Sequence, residues 1–164
     1  MAQTEQKNQN VKKQFEELQS LLERAMALQT SMVLFEWDDE TLAPKGAVEH
    51  TARVIGSLSE QYQEILASMR FKELLDVCQK AEKENAGVFD EVQSAILREA
   101  AEEQERLSCI PPEEYRAYAE LTARATGIWT RAREKNDFAS FAPVLKEIIS
   151  YQKKFAAYRA KPGQ

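Results

Sequence analysis

Residues 11–37, VKKQFEELQSLLERAMALQTSMVLFEW, decide the fold class. Their apolar side chains recur every three or four residues, which places them on one stripe of a helix. At about 1.5 Å per residue, a helix from Val11 to near Trp37 would be about 40 Å long, comparable with the diameter of a compact chain of this length. We therefore predict a long helix that spans the whole body. Its stripe consists of Phe15, Leu18, Leu22, Ala25, Leu28, Met32 and Phe35.

The remaining sequence predicts five more helices. The apolar periodicity restarts after each break that contains Pro, Gly or a group of polar residues. We place these helices at 48–69, 71–84, 88–107, 112–136 and 138–158. Asp137 or Ser140 is expected to cap the last helix, in which Pro143 is acceptable only within the first turn. The predicted fold is all-α, an antiparallel helical bundle of about six helices, two or more of them long.

The composition is typical of a soluble globular domain. The chain has 164 residues, of which 43% are hydrophobic and 30% charged, enough to bury about 70% of the unfolded surface. We divide it into a polar leader at residues 1–10, which could be flexible, and a single helical domain at residues 11–164. The formal net charge of −5 argues against binding to nucleic acid. No apolar run approaches the roughly 20 residues that span a bilayer, so we expect no membrane partner and a cytoplasmic location.

The residue types alone supply no recognisable reaction centre. His50 is the only histidine, and Cys78 and Cys109 are isolated in the sequence. Most zinc sites need several His or Cys ligands at short spacings. We therefore assign no catalytic residue and no metal ligand in this chain.

Four carboxylates crowd the end of the first predicted helix, at Glu36, Asp38, Asp39 and Glu40. Their spacing does not match a Ca²⁺-binding EF-hand loop, which has Gly at its sixth position. We interpret the segment as a solvated turn in which Asp38 or Asp39 caps or pairs at the start of the second helix. Arg53 is the expected charged partner.

Two further groups have structural interpretations. The aromatic residues mostly continue the apolar stripes, so core packing is their expected role; they are Trp37, Trp129, Phe138, Phe141 and Phe155.

Cations near the end of the fifth helix are interpreted as a solvated face that complements the helix dipole; they are Arg124, Arg131, Arg133 and Lys135.

Two stretches are distinctive in the order of their residues as well as in their composition. The first is LFEWDDETLAPKGA at 34–47, followed by Arg53; the second comprises IPPE at 110–113, WTRAREKNDF at 129–138 and FAPVLK at 141–146. They resemble the WDxxTxxPxGA, IPxE and WxxARxxNDFxxFxPxLxxI segments of the Taq-type metallocarboxypeptidases, the thermostable carboxypeptidase 1 family. The matching positions, expected to be mainly structural, are Trp37, Asp38, Thr41, Pro44, Arg53, Trp129, Arg133, Asn136, Asp137, Phe138, Phe141 and Pro143.

The resemblance implies an all-helical, zinc-dependent exopeptidase that removes C-terminal residues and usually forms a homodimer. Its N-terminal helices would form one wall of a groove over the metal. In such enzymes an HExxH helix and a later Glu hold zinc or another divalent metal, and no such residues occur between Met1 and Gln164. The resemblance covers the first third of a typical member, so we expect this chain alone to be inactive and without a cofactor of its own.

Two functions therefore remain open. The chain is either the N-terminal region of such an enzyme, meeting a peptide substrate only in the full-length protein, or a non-catalytic helical module that dimerises or binds a partner helix. Self-association into a homo-oligomer is expected because a second apolar set lies off the main stripes. This set comprises Leu21, Val33, Leu34, Val54 and Ile149.

Overall fold

The computed structural model describes residues 2–44, 46–85 and 87–160. Over these ranges the chain forms helices and no strand, which confirms the all-α prediction. None of the described helices combines the length and the apolar character needed to cross a membrane. The helices are α1 (Ala2–Thr41), α2 (Val48–Ala67), α3 (Met69–Glu84), α4 (Glu91–Ser108), α5 (Pro112–Glu134) and α6 (Phe138–Arg159).

Helix α1 is longer than its apolar stripe predicts. It begins at Ala2 instead of Val11, so the polar residues 2–10 are helical. Periodicity detects only the buried stripe, whereas the Gln, Glu and Lys residues of this segment are good helix formers in their own right. The segment is also tied to α3, since Lys7 Nζ lies 2.8 Å from Glu84 Oε2.

One compact unit comprises Met1–Ala27 and Gln63–Ser108. Here α1 and α3 run antiparallel, because Glu17 pairs with Arg70 at the start of α3 while Lys7 pairs with Glu84 at its end. The Phe15 and Phe89 rings pack with centroids 5.1 Å apart. The fully buried side chains of this unit include Leu18, Leu66, Phe71, Leu74, Cys78, Leu97 and Leu107.

Helix α4 begins at Glu91, three residues after the predicted start at Val88. Asp90 and Gln93 exchange bonds at its N-terminus: the Gln93 N–H donates to Asp90 Oδ1 (2.8 Å) and the Asp90 N–H donates to Gln93 Oε1 (3.1 Å). This is a capping box, which satisfies two otherwise unpaired donors. Val88 and Phe89 are buried in the preceding turn, so their apolar character reflects burial and not helical periodicity.

The other compact unit comprises Leu28–Tyr62 and Cys109–Gln164. In it α2 and α5 run antiparallel, since Arg116 Nη1 lies 2.9 Å from Glu60 Oε2, whereas Arg124 Nη1 lies 3.8 Å from Glu49 Oε2. Helices α5 and α6 are also antiparallel, with Lys154 Nζ 2.7 Å from Glu114 Oε1. The rings of Tyr118, Tyr151 and Phe155 pack between these two helices. The single helical domain at residues 11–164 stays a prediction.

In the turn between α5 and α6, two of the motif residues, Asn136 and Asp137, have structural roles. Asn136 has φ 52°, and its N–H donates to Arg133 O (3.1 Å) while the Asp137 N–H donates to Ala132 O (2.8 Å). This pair of bonds is a Schellman motif with Asn in the left-handed position after the helix. Asp137 then caps α6 by accepting a bond from the Ser140 N–H (3.2 Å). The predicted cap at Asp137 is confirmed.

The prediction for Pro143 is wrong, because this residue lies inside α6, in its second turn. A proline there removes the N–H that would donate to the carbonyl four residues earlier, which is that of Ala139. Ala139 is exposed, so water can bond its carbonyl and the interruption is tolerable.

Candidate functional site

The two motif segments meet in the second unit although about eighty residues separate them in the sequence. They line a cleft of about 440 Å³, which we call the motif cleft. One wall comes from the end of α1 and the following turn, and the other from α2 and the C-terminal half of α5. The lining residues are Asp39, Glu40, Ala43, Pro44, Val48, Thr126, Gly127, Trp129, Thr130, Arg131, Arg133 and Glu134.

A second cavity of about 530 Å³ adjoins the motif cleft, and we call it the acidic groove. It lies between the second half of α1, α2 and α5, and it shares Asp39, Glu40, Val48 and Thr126 with the motif cleft. Its other lining residues are Gln29, Met32, Val33, Glu36, Thr51, Ala52, Ile55, Ser59, Tyr115, Tyr118, Ala119, Thr122 and Ala123. The Ser59 hydroxyl is buried and donates to Met32 Sδ (3.1 Å), which joins α2 to α1.

Trp129 and Arg133 form the aromatic and cationic end of the motif cleft. The Arg133 guanidinium carbon lies 5.2 Å from the Trp129 ring centroid, within the range of a cation–π contact. The two residues are one helical turn apart on α5, where side chains at i and i+4 are neighbours. Both remain exposed, so this cationic surface is accessible to a ligand or to another protein surface.

The acidic end of α1 differs from the prediction. Among the described residues, neither Asp38 nor Asp39 forms a salt bridge with Arg53, and neither side chain caps α2. Instead the backbone carbonyl of Asp38 closes α1 by accepting bonds from the N–H groups of Leu42 (2.9 Å) and Ala43 (2.8 Å). The prediction is wrong because α1 continues to Thr41, which leaves these carboxylates at a helix C-terminus.

Core packing is also the wrong prediction for most of the five aromatic residues. Trp37 is 57% exposed and Phe138 67% exposed, and Trp129 is exposed as well. Phe141 is half-buried, and Phe155 alone of the five is buried. Every exposed aromatic of this group is a motif position, so these side chains are not used to fill the core of the described chain.

A sequence model of one family, carboxypeptidase Taq (M32) metallopeptidase, matches residues 17–164. The match covers both motif segments and the walls of both cavities. The chain belongs to the M32 metallopeptidase family. Two curated relatives agree: Carboxypeptidase 1 of Bacillus subtilis is 35% identical over 138 residues, and Thermostable carboxypeptidase 1 of Pyrococcus furiosus is 30% identical over 135 residues. These alignments cover 84% and 82% of this chain.

Two solved structures share the fold of this chain. The crystal structure of BsuCP superposes with a TM-score of 0.85 at 32% identity and covers 93% of this chain. Trypanosoma cruzi metallocarboxypeptidase 1 gives a TM-score of 0.67 at 26% identity over 91% of this chain. The chain spans only about 27% of the length of the B. subtilis relative and 30% of the BsuCP chain.

The described residues do not fit the metal that the M32 metallopeptidase family implies. No group of three or more His, Cys, Asp or Glu side chains among them could hold a metal ion. His50 is exposed, and burial raises the pKa of the Cys78 thiol to about 11, which disfavours the thiolate that binds metals. A zinc site therefore cannot be assembled from these donors.

Of the M32 motif positions, the structure brings together Pro44, Trp129 and Arg133 in the motif cleft. Trp37, Asp38 and Thr41 form the last turn of α1, where the Thr41 hydroxyl donates to Trp37 O (2.6 Å). The remaining positions lie outside both cavities; they are Arg53, Asn136, Asp137, Phe138, Phe141 and Pro143. Sequence reasoning did not identify Thr126 and Gly127 as cleft residues, because no motif or charge marks them.

Proposed function

We propose that this chain is the N-terminal helical region of an M32 metallocarboxypeptidase that releases C-terminal amino acids from peptides, and that it forms one wall of the substrate groove. The observation that carries the proposal is the convergence of the two family segments on the motif cleft. Residues so far apart in sequence have no local reason to meet there. An accessible cleft with polar and aromatic walls suits an extended peptide.

The catalytic part of the reaction belongs to residues outside those described. In the full enzyme, zinc or another divalent metal would supply Lewis-acid chemistry. This chain would contribute shape, apolar contacts and charge along the peptide. We accordingly expect the chain alone to be inactive as a peptidase.

The exposed motif aromatics support a role within a larger assembly. Trp37, Trp129 and Phe138 are large apolar side chains in water, and such surfaces are usually covered by a partner or by another part of the protein. We propose that the rest of the family fold covers part of this surface, and that the protein forms a homo-oligomer. A cytoplasmic location is also proposed.

The second candidate is a non-catalytic helical interaction module. The observation that favours it is the pair of exposed apolar residues on α1, Val33 (56%) and Leu34 (61%), which could bind a partner helix or a second copy. The two candidates differ in one respect: only the first requires that the chain support catalysis when it is joined to the missing parts of the family fold.

A chimera tests this difference. Residues 17–160 of this chain would replace the matched segment of the B. subtilis relative, and release of C-terminal amino acids would be measured with divalent metal present. We expect an active chimera, whereas the isolated chain should show no metal-dependent release and should bind no stoichiometric zinc by elemental analysis. A folded, dimeric but inactive chimera would favour the interaction module. Chelator-sensitive peptide trimming by the isolated chain would contradict its expected inactivity.

A further inference from the structure

Helix α6 carries a second apolar stripe beside the face that packs on α5. The packed face includes Tyr151 and Phe155, whose rings contact Tyr118. Ala156 follows Phe155, and successive residues lie about 100° apart around a helix axis, so the second stripe is separate from the packed face. We call this stripe the α6 seam, and it comprises Phe138, Ala142, Leu145, Ile149, Gln152 and Ala156.

The α6 seam has the spacing of a coiled-coil contact. Its positions are separated alternately by four and three residues, as are the a and d positions of a heptad. Phe138 is 67% exposed and Ile149 44% exposed, and Ala142 and Leu145 are half-buried. A narrow stripe with this spacing fits against another helix. The described helix that packs most extensively on α6 is α5, which uses the other face.

The border of the α6 seam away from α5 is cationic. Lys146 and Lys153 follow seam residues in the sequence and are both exposed. Neither forms a salt bridge with another described residue. The one acidic residue of α6, Glu147, lies on the side of the helix opposite the seam, as the helical repeat requires. A positive border is thus present in a chain whose formal net charge is −5.

We propose that the α6 seam is covered by a helix from the part of the M32 fold that lies outside the matched residues 17–164, and that this helix carries Asp or Glu beside an apolar seam of its own. Its carboxylates would pair with Lys146 and Lys153, since charges that border a heptad seam select the partner helix. This inference rests on the proposed function and specifies the surface and the chemistry of one contact.

The length of the relatives favours this source of the helix. This chain spans about 27% of the B. subtilis relative and 30% of the BsuCP chain. Most of the polypeptide that can cover α6 in a member of the M32 family therefore lies outside the matched residues.

The charges argue against two other occupants. A two-fold contact places the same surface of both chains together, so Lys146 and Lys153 of one copy would meet those of the other, and juxtaposed like charges are unfavourable. Anionic membranes attract helices with a broad basic face, whereas the seam is narrow and the net charge of the chain is −5.

Thiol labelling tests which polypeptide covers the seam. The 164-residue chain and the chimera described above would both carry Cys109→Ser and Ile149→Cys, and maleimide addition at position 149 would be followed by mass spectrometry. We expect labelling to be slower in the chimera by about tenfold or more, because a covered thiol reacts only when the structure opens locally. Ser150→Cys, at an exposed position off the seam, is the matched control and should label equally in both proteins.

Charge reversal tests the acidic border of the covering helix. Adding Lys146→Glu and Lys153→Glu to the chimera should raise the labelling rate at position 149 by roughly fivefold at low salt, because two exposed ion pairs are lost. This effect should decrease as salt is added. The control reversal, Arg24→Glu with Arg98→Glu, changes exposed cations of the other compact unit and should leave the rate unchanged. An equal increase with both reversals, or none with the α6 reversal, would contradict an acidic border.

Helical peptides provide a measurement that does not depend on the folding of the chimera. Two peptides of about three heptads would share a leucine seam and differ only at the bordering positions, which are Glu in one and Lys in the other. The Glu peptide should slow labelling of the Ile149→Cys variant of the 164-residue chain at a concentration roughly fivefold lower than the Lys peptide. Equal effects of the two peptides, or no effect of the Glu peptide, would overturn the inference.

The outcomes separate this inference from the proposed function, because labelling does not depend on activity. Protection of position 149 in a folded but inactive chimera would support the inference and count against the proposed function. Equal labelling of the isolated chain and an active chimera would overturn the inference alone. Protection in the isolated chain that increases with its concentration would assign the seam to a second copy, and protection by anionic lipid vesicles would assign it to a membrane surface; either result would overturn the inference.

Discussion

Gly56 of α2 lies directly against the side chain of Glu120 on α5. A β-carbon at Gly56 would lie 2.3 Å from Glu120 Cγ, closer than atoms can approach. Glu120 cannot simply move away, because its carboxylate pairs with Arg116 (3.1 Å) and Arg124 (3.7 Å) on its own helix. At this contact α2 and α5, which both contribute to the walls of the two cavities, approach each other closely.

Replacement of Gly56 by Ala should therefore destabilise the protein. Overpacking in a buried site costs about 1–3 kcal/mol, which exceeds the gain of up to about 1 kcal/mol from replacing a helical Gly with Ala. Urea denaturation followed by circular dichroism measures the change. Gly127→Ala is the matched control, because its β-carbon would make only ordinary contacts at 3.7–3.8 Å; it should be neutral or stabilising. Equal stability of the two variants would contradict the steric explanation.

Asn136 should tolerate Gly but not Ala. Its φ of 52° lies in the left-handed region, where a residue with a β-carbon is strained by roughly 1–2 kcal/mol, and where Asn is less disfavoured than most residues. We expect Asn136→Ala to lower the free energy of unfolding by about 1 kcal/mol, and Asn136→Gly to leave it unchanged or raise it. Urea denaturation followed by circular dichroism measures the free energy of unfolding of both variants. Similar losses in both variants would instead indicate that the Asn side chain itself is required.

The sequence predicted six helices because each has an apolar stripe at helical spacing, which is what periodicity reports; in α6 this stripe is mostly half-buried, and Phe155 is its buried residue. It misplaced the starts of α1 and α4, where polar helix formers and a capping box determine the boundary instead. It also assigned Trp37 and Phe138 to the core, since periodicity cannot distinguish a residue buried by its own chain from one that faces solvent. The motif cleft could not be predicted, because the pairing of distant segments is a tertiary property.

The cap at Asp137 should make stability depend on pH. The Ser140 hydroxyl and N–H donate to its carboxylate, which lowers the pKa of Asp137 in the folded protein. A carboxyl with a lower pKa in the folded state stabilises the fold above its unfolded pKa, near 4 for Asp. This contribution is lost as the pH falls through the folded pKa. The stability advantage of the wild type over Asp137→Asn should therefore decrease below about pH 4.

Asn keeps the capping ability of Asp without the titration, so the difference in melting temperature between the two proteins isolates this one group. The other acidic residues contribute equally to both. Melting temperatures would be recorded between pH 7 and pH 2. A difference that stays constant over this range would show that the Asp137 carboxyl is not linked to folding.

Self-association is the prediction that depends most directly on the exposed surface. Of the second apolar set, Val33, Leu34 and Ile149 are exposed, whereas Leu21 and Val54 are half-buried. Val33 and Leu34 continue with the exposed Trp37 along one side of α1, since residues three and four apart share a helix face. Matching apolar patches on identical chains are covered most simply by a two-fold dimer.

Sedimentation equilibrium at micromolar concentrations measures this association. The apparent mass should rise with concentration from the 18.7 kDa of one chain toward twice that value. Leu34→Glu should hold the protein at the monomer mass, because a carboxylate buried in the interface would be desolvated without a partner. Val92→Glu, at an exposed position on α4 in the other compact unit, introduces the same charge outside the Val33, Leu34 and Trp37 surface and should leave the dimer intact. A mass of 18.7 kDa at all concentrations, or dissociation by both substitutions alike, would exclude a dimer formed through α1.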